Sequence, residues 1–363
     1  MRCADRIQVE KGRGAVTNPA GRFESTTLEP ADDGWGSLEE PLRHPQTQLI
    51  AEFPKHAIVH NRSPDVSFDQ SLNPYQGCEH GCIYCYARPA HAYLNLSPGL
   101  DFETRIFHKP ALATLLARDL AAPGYRCRVL HVGGNTDPYQ PAERALRSTR
   151  AVLELMLERR HPVSVITKSA LVLRDLDLFV PLAEHRLVKV FVSLTSLDDS
   201  IKRTLEPRTA SPQARLRVLR TLAQTGVPAG AMLAPVIPAI TDHEIERMLE
   251  AVAETGVRRA GWLMLRLPHE VAGLFEAWLR EHHPQRADRV LNLIRGMRGG
   301  RLNDPRFVHR HRGEGPYAAL IGARFEAACR RLGLNASPPV ELDTTQFVRD
   351  PEAPVQGGLF DGS

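Results

Sequence analysis

From residue 71 onward, short apolar runs alternate with longer segments whose apolar residues recur at helical spacing, and few fold classes accept that alternation. A strand, a helix-length crossover and another strand build a parallel sheet, because the crossover carries the chain back to the start of the next strand. The apolar runs predict strands over 105–108, 128–132, 163–167, 188–194 and 229–235. Helices are expected over 110–120, 141–160, 171–184, 212–224 and 242–254. Pro141 and Pro212 stand at first helical positions, and Gly226 and Gly256 stand where helices stop. A further strand is expected over 260–265. Six or seven such units make an α/β chain, an incomplete relative of the eight-stranded barrel, with its chemistry at the C-terminal ends of the strands.

Residues 71–88, SLNPYQGCEHGCIYCYAR, set Cys78, Cys82 and Cys85 at the spacing C-x3-C-x2-C, so half of the six cysteines fall in one short loop. Gly77 and Gly81 let that loop turn tightly and aim three thiolates at one point. Three thiolates suit a soft metal centre. A 4Fe-4S cluster normally takes four protein sulfurs, so three leave one iron open to another ligand. The alternative is a zinc knuckle completed by His80 or His91. Structural zinc sites usually bring their ligands as two separated pairs, and the sequence has no second pair.

C-x3-C-x2-C with an aromatic residue, Tyr84, before the last cysteine resembles the radical S-adenosylmethionine superfamily, and the resemblance extends over about residues 70–260. It implies a partial (β/α)6 TIM-like barrel of the radical SAM type. It also implies a 4Fe-4S cluster on Cys78, Cys82 and Cys85 whose open iron is chelated by the methionine end of S-adenosyl-L-methionine. One electron then cleaves the sulfonium and releases a 5'-deoxyadenosyl radical that abstracts hydrogen from a substrate. Cofactor contacts are implied at successive strand ends. GGNTDPYQPAE, residues 133–143, follows the strand counted third and brings Gly133 and Gly134 to the cofactor's amino group, with Asn135, Thr136 and Asp137 beside them. A strand-to-helix turn uses the same residue types for turn chemistry alone. ITKS sets Lys168 near the cofactor's sugar or carboxylate, and SLTS aligns Ser193 and Thr195 on one face, where their hydroxyls meet ribose. In LEPRTASP, Glu206 and Arg208 are expected to pair, and Arg208 or Arg215 to hold the cofactor carboxylate by a forked contact. Asp242 is expected to cap the helix that follows it.

Within the superfamily, CEHGCIYCYA together with TDPYQPAE and EPRTASP is similar to the spore photoproduct lyase branch and its bacterial relatives grouped as DNA repair photolyase-like proteins. The similarity implies a nucleic-acid substrate and makes Tyr84 and Tyr86, which match tyrosines beside the lyase's cluster, the catalytic residues that relay hydrogen. The lyase carries a hydrogen-donating cysteine after its third strand. Here that stretch reads GGNTDPYQ, and Cys127 on the preceding strand is expected to be a small core residue. Photoproduct reversal itself is therefore not implied.

The net charge of +4 is too mild to argue for nucleic acid by itself. Lys11, Lys55, Lys109, Lys168, Lys189 and Lys202 are lysines and every other basic residue is arginine, whose fork suits phosphate. A GC-rich coding genome gives the same bias. No apolar run approaches the roughly 20 residues that span a bilayer, and residues 1–10 lack a secretory signal's apolar stretch. Cys3, Cys127 and Cys329 are scattered singly and make no disulfide framework. A cytoplasmic location, with no membrane contact, fits all three observations and suits an oxygen-labile cluster.

Four segments are expected: an extended or disordered N-terminal arm over 1–50, the barrel over 51–265, a helical Arg/His-rich extension over 266–335 and a flexible tail over 336–363. In the extension, Arg295, Arg298, Arg301, Arg306, Arg310 and Arg312 with His309 and His311 could line a groove for a polyanion, with Phe307 available to stack. A solvated face, or ion pairs with Asp304 and Glu314, explains the same residues. A helix over 318–332 is expected to bury Cys329. In the terminal PVQGGLFDGS, Gln356, Leu359 and Phe360 resemble the Q-x-x-L-F peptide by which bacterial repair and replication proteins dock into the sliding clamp. An electron donor such as flavodoxin or ferredoxin completes the implied partners. The leading expectation is a radical SAM enzyme acting on nucleic acid. Its rivals are the same chemistry on a small molecule or peptide, and a zinc-bearing, non-catalytic nucleic-acid adaptor.

Overall fold

A computed structural model describes residues 12–24 and 46–349. The strands are β1 (Gln48–Ala51), β2 (Val59–His60), β3 (Gln70–Leu72), β4 (Tyr75–Gln76), β5 (Arg105–His108), β6 (Leu130–Val132), β7 (Val163–Thr167), β8 (Val188–Ser193), β9 (Ala229–Val236) and β10 (Ala260–Met264). The main sheet runs β10-β9-β8-β7-β6-β3-β2, parallel throughout except that β2 pairs antiparallel with β3. It remains open, with β10 and β2 as its edges. Val163, Val165, Val188, Val190 and Val192 point to one face of the sheet and are fully buried, in a core shared with Leu153, Leu182, Leu219 and Leu249 of the crossover helices. On the other face His131, Ser164 and Lys189 stand in one row across β6, β7 and β8, and that face is the inside of a partial barrel.

The expected parallel α/β fold is therefore present, with one strand reassigned. Residues 105–108 do form a strand, but β5 lies in a separate three-stranded sheet, order β1-β5-β4. It pairs in parallel with β1, which comes from the segment expected to be an arm, and antiparallel with β4 from the cysteine loop itself. The first strand of the barrel is instead β3, just before the cysteines, in a stretch the sequence marks as loop. The glycine pair at 133–134 consequently follows the second barrel strand rather than the third. Strand propensity is local, whereas partner choice is set by what lies alongside in space.

The helix expected over 141–160 is divided into Glu143–Leu146 and Ser148–Glu158 at Arg147, where φ is +51°. The buried Glu143 carboxylate accepts the amides of Thr149 and Arg150 and so satisfies the start of the second piece. Asp242 does not cap its helix and instead accepts the Tyr317 hydroxyl. The last long helix is Gly315–Leu332, with Cys329 buried as expected. Cys127 precedes β6 and is only partly buried. Within the segment expected as a flexible tail, residues 336–349 dock along the starts of β7 and β8. Phe347 packs on Tyr125 and His161, Gln346 donates to the His185 carbonyl, and Arg349 donates to carbonyls at Ala122 and Tyr125.

Candidate active site at the cysteine loop

The loop after β3 needs glycine at two positions. Gly77 and Gly81 have φ of +82° and +67°, and a Cβ at Gly81 would lie 2.8 Å from the Glu103 carboxylate, so larger residues are excluded by conformation and by space. Below the loop, Arg88 is fully buried and donates to the carbonyls of Cys82, Gly81, Pro98 and Gly99 and to Glu103. Glu103 also accepts the amides of Gly14 and Ala15, so residues 12–24 are strapped across the loop's outer side. Backbone carbonyls and one carboxylate thus define the loop's path before any ligand is considered.

The turn after β6 supports the loop from above. Thr136 donates to the Gly77 carbonyl, and Gln140 donates to the same carbonyl while accepting the Glu79 amide. Asp137 lies 3.2 Å from His80 Nδ1 and accepts the Thr167 hydroxyl and the Lys168 amide. Burial works to raise the Asp137 carboxyl, but His80 and these donors hold it at about 2. Gly133 donates its amide to Leu72, and Asn135 donates its amide to Asn73. Of the expected cofactor contacts in this turn, Thr136 and Asp137 therefore have their side chains turned to the loop's support. Gln140, which the motif reading passed over, has the same task.

Cys78 and Cys82 are buried, Cys85 is half-buried, and no disulfide joins them. Burial first, then neighbouring charge from Asp137 and the other two cysteines, pushes the Cys78 thiol up. Burial and Glu206 push Cys82 up to about 12. Three thiols close enough to repel one another as thiolates are unfavourable without a cation, and a metal centre reverses that sign. His80 faces Asp137, and His91 bonds the Arg105 carbonyl. Among the described residues no group of three His, Cys, Asp or Glu side chains is arranged to hold a single metal ion. A cluster spreads its sulfurs over separate irons, so the donor set fits a cluster better than one ion.

Tyr84 and Tyr86 flank Cys85 and diverge. Tyr84 is buried, with its hydroxyl donating to Glu206 and lying 3.3 Å from the Thr195 hydroxyl. Glu206 is expected to pair with Arg208 but pairs instead with Arg215, which also donates to the carbonyls of Ser193 and Ala210 and to the Thr209 hydroxyl. Arg215 sits one helical turn into Pro212–Gln224 and points back under the loop, whereas Arg208 precedes that helix, is 35% exposed and pairs with Glu79 at 3.3 Å. Burial opposes the charge on Glu206, yet Arg215 and Lys168 hold it at about 2. Thr195 donates to Glu206 and Ser193 is buried, so both are enclosed beneath the loop. Lys168 lies above the Tyr84 ring at 5.9 Å, and Cys82, Glu206 and Asp137 raise its pKa against the effect of burial.

Tyr86 is 47% exposed and donates to the Gly134 carbonyl. Arg266, just past β10, lies over its ring at 4.5 Å. Sequence reading missed Arg266; its position two residues beyond a barrel strand's C-terminal end was the available signal. In the 295–312 stretch, most of the expected groove residues are already partnered. Arg306 and His309 pair with Glu314, Arg306 also with Asp304, Arg310 with Asp65, and buried Arg298 donates only to carbonyls. The clamp-like residues Gln356, Leu359 and Phe360 lie outside the described residues. No described helix is long and apolar enough to cross a membrane.

Residues 72–252 match the sequence model of the radical SAM superfamily. An uncharacterized protein of Mycobacterium tuberculosis is 35% identical over 240 residues, covering 65% of this chain and 71% of that protein. Another of Methanocaldococcus jannaschii is 30% identical over 173 residues, covering 48% of this chain and 62% of its own length. Among solved structures, spore photoproduct lyase complexed with a dinucleoside spore photoproduct superposes with a TM-score of 0.56 at 14% identity, over 79% of this chain and 80% of that one. The fold is therefore shared with that lyase.

Proposed function

This chain belongs to the radical SAM superfamily and is a radical SAM enzyme, and from that premise we propose that Cys78, Cys82 and Cys85 hold a 4Fe-4S cluster, with nucleic acid as the substrate. The superfamily implies S-adenosyl-L-methionine and an iron-sulfur cluster. When bound, the pair supplies hydrogen-atom abstraction after one-electron cleavage of the cofactor's sulfonium. The single observation that carries the assignment is three unbridged cysteines on one loop that is held at the strand ends by Asp137, Glu206 and Gly134.

The chain's own residues divide the work. Arg215, spent on Glu206 and carbonyls, leaves Arg208 as the fork for the cofactor carboxylate. Lys168 places positive charge beside Cys82, favouring its thiolate. Gly133, Gly134 and Asn135 form the turn that faces the cofactor, and Ser193 and Thr195 close the floor. Tyr86, exposed at the mouth, is the hydrogen relay, and enclosed Tyr84 positions the loop between Cys82 and Cys85.

Nucleic acid is favoured by the shared fold with a lyase solved with a dinucleoside photoproduct and by the arginines near the mouth. Anaerobic reconstitution should load roughly four irons per chain, and Cys82→Ala should abolish cofactor cleavage; undiminished cleavage ends the proposal. Stoichiometric zinc without iron would favour the adaptor. Flat salt dependence of oligonucleotide binding would favour a small-molecule or peptide substrate. An electron donor such as flavodoxin or ferredoxin is proposed to reduce the cluster. Truncation after Val355 should abolish sliding-clamp binding and leave cofactor cleavage intact.

A further inference from the structure

Arg266 is the unneutralised cation at the mouth of the site. Among the described residues its guanidinium has no hydrogen-bond or ion-pair partner, and its one close contact is the Tyr86 ring at 4.5 Å. The neighbouring charges do not compensate it. Asp65, a carboxylate whose charge bears on it, is consumed by Arg310, the Val308 amide and the Ser63 hydroxyl, with His311 3.5 Å away. Arg298, buried behind, is satisfied only by the carbonyls of Leu265, His309 and Arg310, so its charge adds to the local positive potential. Burial, the largest effect, depresses the Arg266 pKa and Arg310 adds to it, while Tyr86, Asp65 and Cys85 oppose them. A half-buried guanidinium among cations, open to solvent at the mouth, is a seat for an anion.

We infer that Arg266 seats a backbone phosphate of a polynucleotide and thereby holds the strand against Tyr86, the exposed phenol next to Cys85. Phosphate rather than carboxylate fits a fork that is stacked on an aromatic ring at the mouth, because the strand continues past that contact along the surface. Phe307, half-exposed with Arg310 5.0 Å from its ring centroid, offers a stacking surface along that path. This inference rests on the nucleic-acid reading of the site and deepens it by naming the residue that positions the substrate.

The test is fluorescence anisotropy of labelled single-stranded DNA on the anaerobically reconstituted full chain at several salt concentrations. Wild type should show salt-dependent binding; Arg266→Gln should weaken it about tenfold on every sequence and lower the slope of log K against log salt by about 0.7. Arg266→Lys, which keeps the charge and the fold, should keep the slope and lose affinity by a smaller factor. Wild type that binds with Arg266→Gln unchanged overturns the inference alone. Loss of S-adenosylmethionine affinity with oligonucleotide affinity retained also overturns it, and assigns Arg266 to the cofactor. Wild type that does not bind at all overturns the nucleic-acid reading, and the inference with it.

Discussion

The cysteine loop and the arginine-rich segment over 298–312 both crowd charged groups around the mouth of one sheet, and they resolve the crowding in opposite ways. Around the loop, the buried guanidiniums each meet a carboxylate, Arg88 with Glu103 and Arg215 with Glu206, and buried Asp137 is held by the Thr167 hydroxyl and the Lys168 amide. What remains uncommitted there is the set of thiols. In the segment, among the described residues, Arg298 finds only carbonyls, Arg310 and His311 share one carboxylate, and neighbouring Arg266 has none. On the proposed function, the difference teaches how a single face would serve two ligands. A scaffold neutralised on all sides presents fixed sulfurs to a compact centre, whereas a surplus of positive charge suits an extended polyanion whose contacts can shift.

The strongest way to break this contrast is Glu103→Ala. It leaves the buried Arg88 guanidinium without its carboxylate and two strap amides without an acceptor, so it should cost about 3–5 kcal/mol in denaturant unfolding; a loss under about 1 kcal/mol would mean that the loop is not held from below. Gln140→Ala removes the bridge to Glu79 and Gly77 and should cost about 1–3 kcal/mol, with faster loss of iron on dilution into chelator. Outside both regions, burial depresses His131 and His161 to about 4 from 6.5. The unfolded chain therefore binds more protons between those values, so stability is complete above about 6.5, falls as pH drops toward 4 and levels off below. His131→Asn with His161→Asn should flatten that part of the profile. Finally, Arg306→Ala removes an exposed arginine paired with Asp304 and Glu314 and should leave the unfolding midpoint unchanged within error. A large shift there would erase the contrast between the two regions.

The cysteines and the alternation of strand and helix were readable because each is a local pattern. C-x3-C-x2-C needs only one loop, and β7 to β10 with their helices follow hydrophobic period. The loop's supports were not readable. Arg88 and Glu103 are separated by a short helix and a turn, and nothing in ARPAH or DFETR says that they meet. Glu206 was expected to pair with Arg208, and the pairing with Arg215 was decided by a helix start at Pro212 that turns position 215 inward. Tyr84 and Tyr86 differ by two positions, yet one lies against Glu206 and the other in solvent under Arg266, because the loop crosses the edge of the barrel between them.

Periodicity and cysteine spacing, both short-range properties of the chain, determined that this protein would build a parallel α/β sheet with a sulfur-bearing loop at its strand ends. Only the tertiary structure decided that β3 rather than β5 opens the barrel, that the turn after β6 braces the loop, and that Arg266, among the described residues, stands without a counter-ion above Tyr86. Those outcomes depend on which distant groups meet and on which charges find a partner when water is excluded, and such balances exist only once the chain has packed.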